Sequence, residues 1–183
     1  MSLLRPERAA LVLVDLQERL LPAILGRDRI VKNSLLLLRL AGFIDLPVVL
    51  TTQYRKGLGD LVPEIREAWP GAEPLDKVSF GCFQNEPFLS RLSALKGRDQ
   101  LLLAGVESHI CVAQTVLGAL EKGYAVHVAT DAVGSRTEEN CRVGLARMER
   151  AGALLSSVEM AIYELLGRSD GEAFRKILPY LKA

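Results

Sequence analysis

The chain has 183 residues and a formal net charge of +1, with no run of lysine or arginine, so nucleic acid and anionic membranes are not expected partners. Hydrophobic residues make up 49%, and a chain of this size buries about 70% of its extended surface, so one full core in a single domain over 1–183 is expected. The start, MSLLRPERAA, lacks the apolar core of a signal peptide, and every apolar run breaks well before the roughly 20 residues of a membrane span, which predicts a soluble, cytoplasmic protein.

Taken in order, short apolar runs alternate with amphipathic stretches. AALVLVDL (9–16) is a short run rich in Val and Leu, and DRIVKNSLLLLRLAGFI (28–44) has helical spacing. LPVVLTTQ (46–53) is a second β-branched run, and DLVPEIREAW (60–69) reads as a short helical region. EPLDKVSFGCF (73–83) holds a strand and a Gly-marked turn. NEPFLSRLSALKG (85–97) is helical and closes at Gly97. DQLLLAGV (99–106) is a buried strand, HICVAQTVLGALEKG (109–123) a helix, and YAVHVATDAV (124–133) the next strand. TEENCRVGLARMERAG (137–152) is a helix with Thr137 at its N-cap. ALLSSVEMAIYELL (153–166) begins as a strand and continues as a helix, and GEAFRKILPYLK (171–182) is a terminal helix.

This alternation argues for βαβ units. Runs apolar on both faces argue for parallel strands covered on both sides. The expected fold is a three-layer α/β/α sandwich with a mostly parallel sheet of about six strands, joined by right-handed crossovers. In such sheets the ligand crevice lies outside the carboxyl ends of the strands. The polar residues at those ends should converge: Asp15; Thr51, Thr52 and Gln53; Lys77, Ser79 and Phe80; the segment from Val106 to Cys111; and Thr130 with Asp131.

Three widely spaced cysteines, Cys82, Cys111 and Cys141, form neither a disulfide framework nor a zinc motif. Each has a plain reading as a small buried hydrophobe. Cys111 differs by its place, the first turn of the helix after LLLAGV. Unpaired N–H groups and the positive dipole end there lower a thiol pKa and can hold an oxyanion. A nucleophilic thiol needs a proton acceptor. His127 is mid-strand and reads as a core imidazole. His109 either faces the crevice or bonds nearby backbone and shapes the turn, the plainer of the two. Asp15 is the better acceptor, because a carboxylate ending an apolar strand is costly without a partner. It could instead cap a helix begun by LQERLL. Lys77 is its natural countercharge, or else an ordinary solvated lysine.

LVLVDLQERLLP, DKVSFGCF and LAGVESHICVAQTVLGALEKGYAVHVATDAVGSR resemble the three signature segments of the isochorismatase-like cysteine hydrolases, over roughly residues 8–160. The likeness is greatest to the isochorismatase-domain-containing subgroup of unassigned substrate. The resemblance implies an Asp–Lys–Cys triad, with Asp15 as base, Lys77 as its cation and Cys111 as nucleophile. It implies a cis peptide between Val106 and Glu107 that aligns the Glu107 and Cys111 N–H groups as an oxyanion hole. It also places Gln17 at the pocket edge, and Phe80 and Gln53 beside the pocket. No cofactor is implied. The histidines of the metal-binding nicotinamidases are missing from TTQYRKGLGDLVPEI, so no metal is expected either. The family implies a small-molecule substrate and a homo-oligomer, a dimer or higher.

Several readings stay open on the residues alone: hydrolysis of a small amide or other C–N bond through a thioester; ether or ester hydrolysis by the same triad; a non-catalytic binding member of the fold; or a redox thiol with Cys82 as resolving partner. A nucleotide-binding domain is disfavoured by the lack of a G-x-G-x-x-G or P-loop pattern.

Overall fold

A computed structural model describes residues 3–182. Among these, six apolar segments become strands: β1 (Ala9–Val14), β2 (Val48–Gln53), β3 (Leu75–Lys77), β4 (Gln100–Val106), β5 (Ala125–Gly134) and β6 (Leu154–Ser156). They form one sheet in the order β3-β2-β1-β4-β5-β6, with every neighbouring pair parallel. The order reverses between β1 and β4, and a doubly wound sheet opens its crevice there.

The helices are α1 (Arg27–Phe43), α2 (Arg55–Leu58), α3 (Pro63–Ala68), α4 (Glu86–Ala94), α5 (Ala113–Glu121), α6 (Glu138–Arg150), α7 (Val158–Leu166) and α8 (Glu172–Leu181). The two-residue period of a strand divides the core. Leu11 and Leu13 of β1 join Leu37, Leu40, Ile65 and Ile162 on one face of the sheet. Ala10, Val12 and Val14 join Phe88, Leu92, Val116 and Met148 on the other. Helix starts follow the residues that can cap them: Asn85, Thr137 and Ser157 each accept a backbone N–H through the side chain.

Three local expectations need correction. LQERLL does not start a helix. The segment makes only a 3₁₀ turn at Leu21–Ala23, and α1 begins at Arg27 after Gly26. Asp15 therefore caps nothing there. The helix expected over 109–123 opens instead with a π turn, Ser108–Val112, a wide turn that recurs at functional sites. Lastly, β5 runs to Gly134 through a register shift, since Leu103 pairs with Val128 but Gly105 pairs with Val133. Thr130 and Asp131 fall inside that irregularity and face the sheet edge. Thr130 Oγ1 donates to Ser156 O, and Asp131 Oδ1 accepts from Val158 N. They do not join the crevice.

Gly105 sets how closely β4 approaches β1. Its φ is +120°, and an added Cβ would lie 2.1 Å from Val14 O. Both the backbone conformation and the space exclude a side chain. Gly123 has φ +83° but open space around it. Gly105→Ala is expected to lose the folded state or to cost several times the ~1 kcal/mol typical of a strained glycine replacement. Gly123→Ala should cost only about 1–2 kcal/mol. Thermal unfolding of the two variants checks this, and equal losses would refute the close-approach argument.

Candidate active site

Four carboxyl-terminal strand ends supply the site. Asp15 follows β1 with φ +54°, a conformation that Asp tolerates better than most residues. Its carboxylate is fully buried. Lys77 Nζ, at the end of β3, donates to Asp15 Oδ2 at 2.6 Å. Thr51 Oγ1, on the intervening β2, donates to Asp15 Oδ1 at 2.7 Å. Lys77 also donates to Gln53 Oε1 at 2.8 Å. The lysine is 2% exposed, which excludes the solvated reading.

Gln53 and Gln17 brace one another. Gln53 N donates to Gln17 Oε1 at 2.7 Å, and Gln17 Nε2 donates to Gln53 O and Gly59 O. Gln53 Nε2 donates to Val78 O at 3.0 Å. Its amide is thereby oriented with the oxygen toward Lys77 and toward Cys111 Sγ, 4.0 Å away. Gln17 is fully buried, so it props Gln53 and does not stand at an open pocket edge. Phe80 lies on the loop after β3 with its ring half in solvent (53%).

Cys111 sits in the π turn after β4, 5% exposed. The Val106–Glu107 peptide is cis. Glu107 O accepts from Ile110 N and Val112 N. Behind the turn, Thr115 Oγ1 donates to Cys111 O at 2.6 Å and accepts from Cys82 N at 3.1 Å. Thr115 thus ties the Cys111 turn to the β3 loop, and nothing in its sequence position marked it. Also unmarked was Arg136, which pairs with the carboxylate of Glu107; a partner 29 positions away leaves no local signal.

His109 Nδ1 meets Ser135 Oγ at 3.0 Å, so it braces the turn against the end of β5 rather than against nearby backbone. His127 is buried within β5. Among the described residues, no group of three or more His, Cys, Asp or Glu side chains could hold a metal ion. No helix among them is long and apolar enough to cross a membrane.

The electrostatics correct one expectation. Burial pushes the Cys111 thiol up to about 12, and the neighbouring Asp15 adds to the shift while Lys77 opposes it. The turn therefore holds a neutral thiol at rest, not a thiolate. Burial also raises Asp15 against the pull of Lys77 and Thr51. Lys77 loses solvation, yet Asp15 and the thiols outweigh that loss and raise its pKa. Cys82, fully buried, is pushed up to about 11 by burial, which makes it a poor resolving thiol.

Two stability experiments follow. Lys77→Met leaves the Asp15 carboxylate buried without its cation, an expected cost of about 3–5 kcal/mol, and adding Asp15→Asn should restore much of it. Urea denaturation reads both; an unrecovered double variant would refute the pairing. For Cys111, the folded pKa of about 12 lies above the ordinary 9.0. The contribution is complete below pH 9 and is lost as pH rises toward 12. Wild-type stability should fall more steeply than that of Cys111→Ala above pH 9, by about 1.4 kcal/mol per pH unit. Parallel curves would contradict the buried neutral thiol.

The isochorismatase domain family matches residues 9–160. The chain is 38% identical over 180 residues to isochorismatase domain-containing protein 2A of Mus musculus, covering 97% of this chain and 84% of that protein. The structure of YcaC from Pseudomonas aeruginosa, solved with hexane-2,5-diol and covalent acrylamide, superposes with a TM-score of 0.91 at 34% identity, over 99% of this chain and 95% of that one. Escherichia coli YcaC, described as an octameric hydrolase of unknown specificity, gives a TM-score of 0.90 at 33% identity, over 100% and 94%. With the fold, the strand-end site and these likenesses in agreement, the chain belongs to the isochorismatase family of hydrolases.

Proposed function

We propose that this protein is a cysteine hydrolase that cleaves a small amide or related C–N bond through a thioester on Cys111. The observation that carries the reading is the buried Lys77–Asp15 pair, 2.6 Å apart, whose carboxylate also acts on the Cys111 thiol. In this reading Asp15 is the base. It takes the Sγ proton as sulfur attacks the carbonyl carbon, because a thiol at about 12 supplies almost no thiolate beforehand. The Glu107 and Cys111 N–H groups hold the oxyanion. Asp15 then passes the proton to the leaving nitrogen, the C–N bond breaks and the amine departs. Asp15 next takes a proton from water as the water oxygen attacks the thioester carbon; the C–S bond breaks, the acid leaves and the proton on Asp15 returns to sulfur. Lys77 stays charged throughout and keeps Asp15 in place. The P. aeruginosa relative was solved with covalent acrylamide, an electrophile that thiols alkylate at its alkene, which is compatible with a reactive nucleophile in that relative.

Supporting points bear on the setting. The octameric E. coli relative favours a homo-oligomer. Exposed Val78 and Phe80 (80% and 53%) next to Lys77 are apolar surface that such an assembly would cover. Three free thiols suit a reducing, cytoplasmic setting. Ester or ether hydrolysis by the same residues is the alternative within the family.

Intact-mass analysis after mixing with panels of small amides, activated esters and vinyl ethers tests the reading. An acyl adduct on Cys111 in wild type, absent from Cys111→Ala, is the expected result. Turnover that survives Cys111→Ala would overturn it. Asp15 must be ionised to act as base, and its pKa is raised from 3.8. The acid limb of kcat/KM should therefore lie above that ordinary value and disappear with Asp15→Asn, along with activity.

A further inference from the structure

On the side away from Thr115, the turn that carries Cys111 is held by one segment, the corner from the end of β5 into α6. Four contacts fall on three consecutive residues. Glu107 Oε2 accepts from Arg136 N at 3.2 Å and from Arg136 Nε at 2.9 Å. Ser108 Oγ meets Cys141 Sγ at 3.6 Å. His109 Nδ1 meets Ser135 Oγ at 3.0 Å. Gly144 lets α6 lie directly on the turn, for a Cβ there would come within 2.9 Å of His109 Cα.

Glu107 is the critical residue of the three. It is 6% exposed, and a buried carboxylate is retained only where it is paired. Its own carbonyl accepts the two N–H groups that close the turn. The residue is therefore fixed at both ends, by the turn through its carbonyl and by Arg136 through its carboxylate. A backbone N–H held this way keeps its direction without reorganising during reaction.

We propose that Arg136 is a positioning residue, which through the carboxylate of Glu107 aims the Glu107 N–H at the oxyanion formed when Cys111 attacks. This rests on the hydrolase reading above. Arg136 need not touch substrate; it acts through Glu107. Its backbone N–H bond survives substitution, so Arg136→Ala removes the guanidinium contact and leaves the Glu107 carboxylate one partner, Arg136 N.

Two reactions of Cys111 separate aiming from folding. Acylation by p-nitrophenyl acetate passes through an oxyanion; alkylation by iodoacetamide does not. Arg136→Ala is expected to slow acylation roughly 10-fold or more, with apparent KM and the Cys111 alkylation rate both within about twofold of wild type. In a Glu107→Ala background, Arg136→Ala should add nothing further, since the carboxylate it holds is gone. Unchanged acylation, a parallel fall in alkylation, or the same loss in the Glu107→Ala background would overturn the assignment. If Cys111→Ala acylates as fast as wild type, the hydrolase reading itself fails. Amide hydrogen exchange then decides the role of Arg136: faster exchange in Arg136→Ala confined to residues 107–112 upholds the clamp, and unchanged exchange there removes it.

Discussion

A carboxylate and an ammonium held out of water organise this molecule. Asp15 and Lys77 stand 2.6 Å apart with side chains 0% and 1% exposed. Burying two charges is expensive, and an apolar pair of similar volume often stabilises a fold as well or better. The pair is therefore better understood by what it fixes. It joins β1 near the centre of the sheet to β3 at the edge, across β2, which adds Thr51 and Gln53 to the same network. Lys77 donates to both Asp15 and Gln53, and Thr51 to the second carboxylate oxygen, so the position of Asp15 is fixed from two strands.

That arrangement explains a thiol that stays neutral. The amino end of a helix would favour a thiolate, but Cys111 is buried and shares its surroundings with an anionic Asp15. Burial and the carboxylate outweigh the helix end and Lys77. In the proposed mechanism, reactivity depends on proton transfer from Cys111 to Asp15 rather than on a standing thiolate. Such a group is also protected from indiscriminate oxidation, which follows thiolate character and exposure. Cys82, buried and raised for the same dominant reason, does not offer the second half of a redox couple.

The turn that carries Cys111 is supported from both sides. Thr115 and the Cys82 backbone hold it from the β3 loop. The β5–α6 corner holds it through Arg136, Ser135, Cys141 and the bare backbone of Gly144. π turns are rare and are found most often at functional sites.

Much of this was legible in the chain itself. Periodicity, Gly and cap residues located the strands and most helices, because short apolar runs and amphipathic stretches have different periods. Strand-end logic, with the family resemblance, singled out Asp15, Lys77, Gln53 and Cys111. Local sequence determined which residues end strands. Only the tertiary structure decided what those residues face. It took Thr130 and Asp131 away from the crevice through a register shift in β5, and turned Gln17 inward as a brace. It also reversed the expected direction of the thiol pKa and paired Glu107 with Arg136. The physical reason is common to all four: burial, desolvation and long-range pairing depend on what other strands bring alongside a residue, and a residue's neighbours in sequence do not specify that.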